Sequence, residues 1–311
     1  MTAYARMIPS ASPQVIIRLK GGLGNQLFMY AFAKSMAFRN AVPLRLDTVS
    51  GFALDTAYRR QYQLHHFPIE EDPDTQDVSP LAAWGDAGRK LVERVNRILP
   101  LRMRSYVKER VKGFDEGIYR MPITRSTYFD GYWQSYRYFE AVEGMIRERL
   151  RIGSALAQEH EEEARLIRSC TAVCLAVRRF GDVSGRKKGE MTILDAHYYH
   201  RAMRIMAERV ANPHFFIFTQ DREWAQGNID HERHRVTFIR EKDPDSGAVA
   251  DLSLMSLCRH FIISNSTLHW WGAWLNPDPD KVVIAPIQGW VQREILPPAW
   301  LRVDGNALAG A

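Results

Sequence analysis

The sequence predicts an α/β protein built from two Rossmann-type domains, and three observations support this class. A length of 311 residues corresponds to two domains of ~150 residues each, and 46% apolar residues suffice for sizeable cores. The first half opens with a strand, a glycine-rich turn and an apolar helix. The second half alternates short apolar segments with helical ones, which is the pattern of a doubly wound parallel sheet.

The N-terminal half begins with a strand that runs into glycines. We expect residues 1–13 to form a flexible arm and Val15–Leu19 to form a strand, followed by Gly21–Gln26 and a buried helix starting at Leu27. Leu27 stands where a dinucleotide fingerprint has its third glycine, while Asp47 follows the next strand at the distance of a ribose-binding acid. The glycines indicate either a tight packing turn or ligand contact, and a nicotinamide cofactor is one alternative.

The positive charge is concentrated in one segment. The chain carries a net charge of +6, and residues 86–112 hold nine Lys and Arg against three Asp and Glu, which accounts for the whole excess. The near-neutral remainder argues against a nucleic-acid-binding protein. Apolar residues recur in this segment at helical spacing, namely Leu91, Val92, Val95, Ile98 and Leu99. The segment is either a solvated helix or a surface for an anionic membrane or a lipid-linked substrate.

Composition limits the cellular setting and the metal chemistry. Three cysteines without zinc-type spacing favour a reducing compartment. No apolar run approaches the ~18 residues of a membrane span, and signal-peptide features are lacking, so we expect a cytoplasmic protein with at most peripheral membrane contact. Asp-x-Asp pairs can bind metals, but each pair here encloses a proline and favours a turn. These pairs are Asp72/Asp74, Asp243/Asp245 and Asp278/Asp280.

Residues 128–139 carry seven aromatic side chains around Asp130 and Gln134. Such a cluster is typical either of an aromatic core or of a surface where a sugar ring stacks and polar groups bind its hydroxyls. An acidic helical stretch follows, which we interpret as the bridge between two domains. The predicted domains are residues 14–155 and residues 156–311.

The second half contains five predicted strands and four predicted helices. The strands are Thr171–Val177, Phe215–Thr219, Arg235–Ile239, Phe261–Ser264 and Val282–Ala285. The helices are Asp195–Val210, Arg222–Asn228, Val249–Leu257 and Ser266–Leu275. In a parallel sheet the carboxyl ends of the strands lie at one edge, where ligands bind.

Polar residues follow three of these strands. They are Arg178, Arg179 and Asp182 after the first strand, Thr219, Gln220 and Asp221 after the second, and Ser264, Asn265, Ser266 and Thr267 where a helix begins. Guanidinium groups match phosphate oxygens bidentately, so two arginines and a helix N-terminus can neutralise a diphosphate without a metal. Two plainer interpretations stay open. Arg179 and Asp182 can form an ion pair that shapes the loop, and the polar turn can simply cap the helix.

Five segments carry a family resemblance that spans nearly the whole chain. They are Ile16–Phe28 (IIRLKGGLGNQLF), Gly131–Phe139 (GYWQSYRYF), Val177–Asp182 (VRRFGD), Phe215–Trp224 (FFIFTQDREW) and Asp251–Pro286. The chain resembles the bacterial α-1,2-fucosyltransferases of glycosyltransferase family eleven. It departs from the family pattern H-x-R-R-G-D, because Ala176 replaces the histidine and Phe180 is inserted before the glycine.

The resemblance implies a GT-B-like fold, with two Rossmann-type domains and a ligand cleft between them. It also implies an inverting, metal-independent transfer without a cofactor. The donor would be GDP-β-L-fucose, and the acceptor would be O2 of a terminal β-galactose in O-antigen or surface-glycan synthesis. The basic segment motivates a lipid-linked acceptor at the inner membrane face.

The resemblance also implies residue roles at the matching positions. Arg178 and Arg179 would stabilise the leaving diphosphate, with Asp182 beside them. The implied donor-binding residues are Gly22, Gly24, Asn25, Gln26, Asp221, Ser264, Asn265, Ser266 and Thr267. The implied acceptor-binding residues are Asp130, Trp133 and Gln134. No motif identifies a general base, for which Asp47, Asp55 and Asp130 are candidates.

Two other classes of function are compatible with these features. The first is a catalytically silent protein that binds GDP-sugars or glycans, which the replaced histidine favours and the retained arginines oppose. The second is a nicotinamide-dependent enzyme of sugar-nucleotide metabolism, which the absent third glycine opposes.

Overall fold

The structure of the protein is a computed structural model in which the chain forms two compact units, residues 1–151 and residues 152–311. The residues described are 12–53, 55–56, 58–69, 75–77, 85–152, 160–179, 193–230, 232–240, 247–287 and 293–304. Most of the expected N-terminal arm and the expected boundary at residues 155 and 156 lie outside them.

The N-terminal unit is an α/β layer structure around a parallel sheet. Its elements are β1 (Val15–Arg18), α1 (Leu23–Asn40), β2 (Leu44–Asp47), β3 (Thr75–Asp77), α2 (Gly85–Ile98), β4 (Tyr106–Lys108), α3 (Glu116–Tyr119), β5 (Thr127–Asp130) and α4 (Glu143–Arg149). Within the described residues the strand order is β3-β2-β1-β5-β4, and every pair is parallel. The order therefore reverses at β1, and ligands bind beside such a reversal in open α/β sheets.

Helix α1 is buried almost all round, as its apolar composition predicts. It begins at Leu23, four residues before the expected start, so that Gly24, Asn25 and Gln26 form its first turn. Gly21 makes the preceding bend with a left-handed φ of 73°, which glycine adopts without steric cost. Gly22 is the N-cap and offers no side chain to the free N–H groups of the first turn.

The C-terminal unit is also a parallel α/β structure. Its elements are α5 (Glu161–Arg168), β6 (Ala172–Val177), α6 (Ala196–Arg209), β7 (His214–Thr219), α7 (Arg222–Asn228), β8 (Arg235–Phe238), α8 (Gly247–Leu257), β9 (His260–Ile262), α9 (Thr267–Leu275), β10 (Val283–Pro286) and β11 (Leu301–Val303). The described strands have the order β11-β10-β9-β6-β7-β8, all parallel. The order reverses at β6, which lies between β7 and β9.

Helices α8 and α9 are in close contact in the C-terminal unit. A Cβ atom added at Gly272 would lie 2.9 Å from Cβ of Met255, so this contact requires glycine. Next to it, Trp270 and Trp274 stack with ring centres 5.9 Å apart, and the Trp270 indole N–H donates to the carbonyl of Ile295 at 2.9 Å. The tryptophans of α9 thus form core that fixes the start of this helix.

Both units are Rossmann-type α/β structures, and the predicted class is confirmed. In the part of the chain that the structure describes, no helix combines the length and the apolarity needed to cross a membrane.

Candidate active site

Arg178 follows β6 at the point where the strand order reverses. Its Nη1 donates to Oε1 of Gln220 at 2.5 Å, which ties the carboxyl ends of β6 and β7 together. Its backbone N–H lies 3.4 Å from the hydroxyl of Tyr199 on α6. The side-chain amide of Gln220 therefore helps to position this guanidinium.

Arg179, the next residue, has a charged partner. Its Nε lies 3.4 Å from Oδ2 of Asp221, and its guanidinium carbon lies 4.3 Å from the centre of the Trp224 ring. The described partner is thus Asp221, whereas the sequence suggested Asp182, which lies outside the described residues. The two arginines predicted to share one role differ in their electrostatic environment.

Asp221 has a structural task at the start of α7. Its Oδ1 accepts the backbone N–H of Trp224 at 3.1 Å, as an N-cap does, and its own N–H donates to Oγ1 of Thr219 at 3.0 Å. The contact with guanosine implied by the resemblance stays a prediction.

The polar turn after β9 is half buried. Ser264 and Asn265 are 1% and 0% exposed, while Ser266 and Thr267 are partly exposed. Ser266 is the N-cap of α9 and makes no side-chain capping bond, and no acidic residue lies in the first turn of the helix. The side chain of Ser266 therefore does not cap the helix, and the anion-binding role of the turn stays a prediction.

His269, which the sequence interpretation did not consider, lies under this turn. Its Nδ1 is 2.8 Å from Oγ of Ser264. Complete burial, together with the nearby charge of Arg178, lowers the pKa of His269 to about 3. The ring is neutral at ordinary pH and holds the Ser264 hydroxyl in place. Its position directly before the tryptophan pair was the only sequence signal.

Asp130 lies at the carboxyl end of β5, beside the strand reversal of the N-terminal unit. Its carboxylate accepts hydrogen bonds from Arg18 Nη1 at 3.1 Å, Lys20 Nζ at 2.5 Å and the Tyr106 hydroxyl at 2.9 Å. Burial alone would raise the pKa of Asp130, but Lys20 and Arg18 hold it below its ordinary value. Asp130 is therefore ionised and enclosed by its partners. This environment favours a structural role for its charge over a role as general base.

Asp47 is fully buried at the end of β2. Its carboxylate accepts bonds from the hydroxyls of Tyr128 and Ser50, both at 2.5 Å, and from the backbone N–H of Ser50 at 2.9 Å. A carboxylate used in this way is not presented to a ribose, which argues against the nicotinamide alternative. Asp55, the third candidate base, is partly exposed.

Gln26 fixes the glycine turn from inside. Its Nε2 donates to the carbonyls of Gly21 and Gln61, and its Oε1 accepts the N–H of Gln63, all at 2.9 Å. Asn25, one residue earlier, is partly exposed, and its Oδ1 accepts from Nε2 of Gln134 at 2.9 Å. The structure thus brings together the predicted donor residue Asn25 and the predicted acceptor residue Gln134.

Trp133 is a core residue, contrary to its expected place among acceptor-binding side chains. It is 0% exposed and stacks on Phe32 with ring centres 4.3 Å apart. Its neighbour Tyr132 is 40% exposed, and Nζ of Lys20 lies 5.0 Å from the centre of its ring. The aromatic face available to a sugar at this turn is therefore that of Tyr132.

Glu109 holds the turn that carries Tyr132. Its carboxylate accepts the backbone N–H of Tyr132 at 2.6 Å and that of Trp133 at 3.0 Å, and burial raises its pKa despite these bonds. A Cβ atom on Gly131 would lie 2.3 Å from Cβ of Glu109, so the contact requires glycine. Sequence reasoning missed Glu109 because it lies in the basic segment, where no strand was predicted.

The described residues contain no group of three or more His, Cys, Asp or Glu side chains arranged to hold a metal ion. Metal independence stays a prediction.

Solved structures share the fold. The fucosyltransferase NodZ from Bradyrhizobium matches with a TM-score of 0.53 and 14% identity over 86% of this chain and 95% of that one. A mutant of Arabidopsis thaliana FUT1 in complex with GDP matches with a TM-score of 0.54 and 12% identity over 88% and 70%. The protein has the GT-B-like fold class of these fucosyltransferases.

Residues 101–295 match glycosyl transferase family 11, and the chain belongs to this family. An α-1,2-colitosyltransferase of Escherichia coli is 29% identical over 93% of this chain and 99% of its own length. The O-antigen biosynthesis glycosyltransferase WbnK of the same species is 25% identical over 86% and 92%. Galactoside α-(1,2)-fucosyltransferase 1 of Sus scrofa is 29% identical over 47% and 42%. The protein is a glycosyltransferase of fucosyltransferase-like type.

Proposed function

We propose that the protein transfers L-fucose from GDP-β-L-fucose to O2 of a terminal β-galactose, with inversion and without a metal. The observation that carries this proposal is Arg178 at the strand reversal, positioned by the neutral side chain of Gln220. Similarity to a galactoside α-(1,2)-fucosyltransferase supports the acceptor, and a NodZ structure soaked with GDP-fucose supports the donor class. Similarity to WbnK supports a place in O-antigen synthesis.

The reaction needs charge stabilisation at the leaving group. The galactose O2 attacks C1 of fucose and passes its proton to a general base, the bond from C1 to the β-phosphate oxygen breaks, and GDP leaves with the electron pair. Negative charge grows on the diphosphate as this bond lengthens. Arg178 and Arg179 at the end of β6 would both stabilise that charge, and the carboxylate of Asp221 offsets part of the charge of Arg179. We assign the principal role to Arg178, which follows the strand at the reversal and is positioned by Gln220.

Several further residues are proposed to bind the donor or the acceptor. The partly exposed Ser266 and Thr267 at the N-terminus of α9 would bind the phosphates or the fucose. In the N-terminal unit, Gly22 and Asn25 at the start of α1 are accessible to the donor, and Tyr132 and Gln134 serve the acceptor. The role of Asp182 beside the arginines stays a prediction, because this residue lies outside the described residues.

A colitose donor is the second candidate. Colitose is L-fucose without its 3-hydroxyl group, so the same arginines and the same glycine turn would serve both donors. The colitosyltransferase relative, which aligns over nearly its whole length, favours this candidate. A buried site that hydrogen-bonds the hydroxyl would discriminate strongly between the two sugars.

GDP release measured on a panel of β-galactosides tests the proposal. GDP-fucose and GDP-colitose are compared as donors in the presence of EDTA, with wild type, Arg178→Ala and the exposed control Arg204→Ala on α6. We expect galactoside-dependent release that survives EDTA, a loss of about 10²- to 10³-fold in Arg178→Ala, and no loss in the control. GDP binding without release for any galactoside would instead support the silent-binding alternative.

A further inference from the structure

Helix α2 has an inner face that anchors it to the N-terminal sheet. Val92 packs in a cluster with Ile16, Tyr106 and Tyr128. Asn96 is buried, and its Oδ1 accepts the backbone N–H of Ser105 at 2.8 Å. These contacts fix which side of the helix faces the protein, and hence which side faces outward.

The outer face carries large apolar side chains. Leu91 is 61% exposed and Ile98 is 83% exposed. They are seven residues apart, which places them within about 20° of each other around the helix axis. Val92 and Asn96 lie roughly 100° or more away on the inner side. Leu91 and Ile98 thus form an apolar stripe that the N-terminal unit does not cover.

Cations flank this stripe on one side. Lys90, Arg94 and Arg97 are exposed and lie roughly 60° to 120° from Leu91 around the axis. Among the described residues, no carboxylate forms an ion pair with any of the three. Glu93 is the acid of this helix whose side chain is described, and it forms ion pairs with Lys108 at 3.1 Å and Arg110 at 3.9 Å. The outer face is therefore both apolar and positively charged.

We propose that the outer face of α2 binds an anionic lipid bilayer surface, with Leu91 and Ile98 entering the headgroup region and Lys90, Arg94 and Arg97 contacting lipid phosphates. A helix that lies in a membrane interface combines such an apolar stripe with basic residues beside it. Each cation near an anionic leaflet adds favourable binding that salt weakens. The helix is anchored along its inner side, so the outer face can bind without unfolding.

A nucleic acid is the competing occupant, and the apolar stripe decides against it. Phosphodiester binding uses cations and gains nothing from Leu91 and Ile98, whose exposure a bilayer relieves by taking them out of water. The remainder of the chain is close to neutral, whereas nucleic-acid proteins extend basic charge over a larger surface.

Flotation of the full-length protein with vesicles tests the proposal. Vesicles of phosphatidylcholine alone and of phosphatidylcholine with phosphatidylglycerol are compared at low and high salt. We expect binding only to the anionic vesicles, and weaker binding at high salt. Arg94→Ala with Arg97→Ala should weaken binding roughly 30-fold, and Leu91→Ser with Ile98→Ser about tenfold.

Matched controls separate this surface from general charge and general apolarity. Arg204→Ala with Arg209→Ala removes two exposed cations from α6, and Phe38→Ser removes a side chain that is also 61% exposed. Both controls should bind as wild type does. All substituted positions are exposed, and unchanged thermal unfolding would show that each variant folds.

Three results would overturn the proposal. The first is no flotation at low salt, and the second is equal flotation of both α2 double variants and wild type. The third is loss in the arginine variant alone together with displacement by duplex DNA, which would assign the surface to polyanions. The measurement needs neither donor nor acceptor, so its outcome is independent of the proposed reaction.

Discussion

Arg178 and Arg179 are neighbours in the chain but contact different side chains. Arg178 donates to the side-chain amide of Gln220, while Arg179 lies between the carboxylate of Asp221 and the ring of Trp224. A guanidinium paired with a carboxylate presents a weaker field to a third group. We therefore expect Asp221 to reduce the charge that Arg179 presents to a diphosphate, which adjacency in the sequence alone does not indicate.

Asp55 is the best placed of the three candidate bases. Asp47 and Asp130 are buried among hydroxyls and cations, whereas Asp55 is partly exposed and, among the described residues, accepts the backbone N–H groups of Tyr58 at 3.0 Å and Arg60 at 3.2 Å. Burial first, and then the charges of Asp130 and Asp55, raise the pKa of Tyr132. The carboxylate of Asp55 therefore acts electrostatically on the exposed tyrosine, and we propose it as the base for a sugar bound there.

Replacement of Asp55 by Asn should lower kcat by about 10²- to 10⁴-fold, because the amide keeps the shape and cannot accept the galactose proton. The effect is measured as GDP release at saturating donor and acceptor. Asp115→Asn is the control, since Asp115 also accepts a backbone N–H, that of Ile118 at 3.0 Å. A kcat within a few-fold of wild type for Asp55→Asn would remove the assignment.

At the scale of elements, the turn after β5 depends on β4. Trp133 has a left-handed φ of 53°, a conformation that a bulky side chain rarely adopts. Glu109, from the end of β4, holds two N–H groups of this turn, and the buried Trp133 ring fills the space beside Phe32. Tyr132 and Gln134 flank the buried tryptophan in the chain and are exposed and partly exposed. Glu109 thus holds the turn that we propose for the acceptor.

Replacement of Glu109 by Ala should destabilise the N-terminal unit by about 2–4 kcal/mol, since two N–H groups lose their acceptor. It should also raise KM for the galactoside and leave KM for the donor unchanged. Urea unfolding and steady-state kinetics measure the two effects. Glu116→Ala, which breaks only an exposed pair with Arg120, is the control and should change neither. Equal stability of the two variants would mean that Glu109 does not hold the turn.

The elements were more predictable than the side-chain roles. The strands of the C-terminal unit and the buried character of α1 follow from apolar runs and helical spacing, which are local properties. The start of α1 was predicted too late because Gly22 and Gly24 suggested a loop, although glycine is tolerated in a first helical turn. Trp133 could not be assigned to the core because its burial depends on its own left-handed backbone conformation. Glu109 could not be assigned to the turn because its hydrogen bonds depend on the register between β4 and β5.

At the scale of the whole molecule, acid sensitivity should come from a buried histidine. The pKa of His269 is about 3 in the folded protein and 6.5 ordinarily. Between pH 3 and pH 6.5, His269 is therefore protonated in the unfolded chain but neutral in the folded chain. This contribution to stability is complete above pH 6.5 and is lost as the pH falls toward 3. The contribution of Asp130 is lost only below its ordinary value of 3.8.

The free energy of unfolding of the C-terminal unit should therefore fall below pH 6.5, and His269 contributes up to about 1.4 kcal/mol per pH unit to this fall. Urea titrations at pH 7 and pH 5 measure the slope. His269→Gln should make the fall between these two pH values smaller by about 2 kcal/mol. His197→Gln, a change at an exposed position on α6, should not. An unchanged slope in His269→Gln would exclude His269 as the source.

The order of strands in the N-terminal sheet also affects how the chain folds during its synthesis. Val15 in the central strand β1 pairs with Leu44 on one side and with Thr127 on the other. During synthesis β1 can find β2 early, but its second edge stays open until β5 has left the ribosome. An apolar strand with one open edge over that interval is prone to wrong partners, so timely folding of this unit depends on what shields β1 while the chain is still growing.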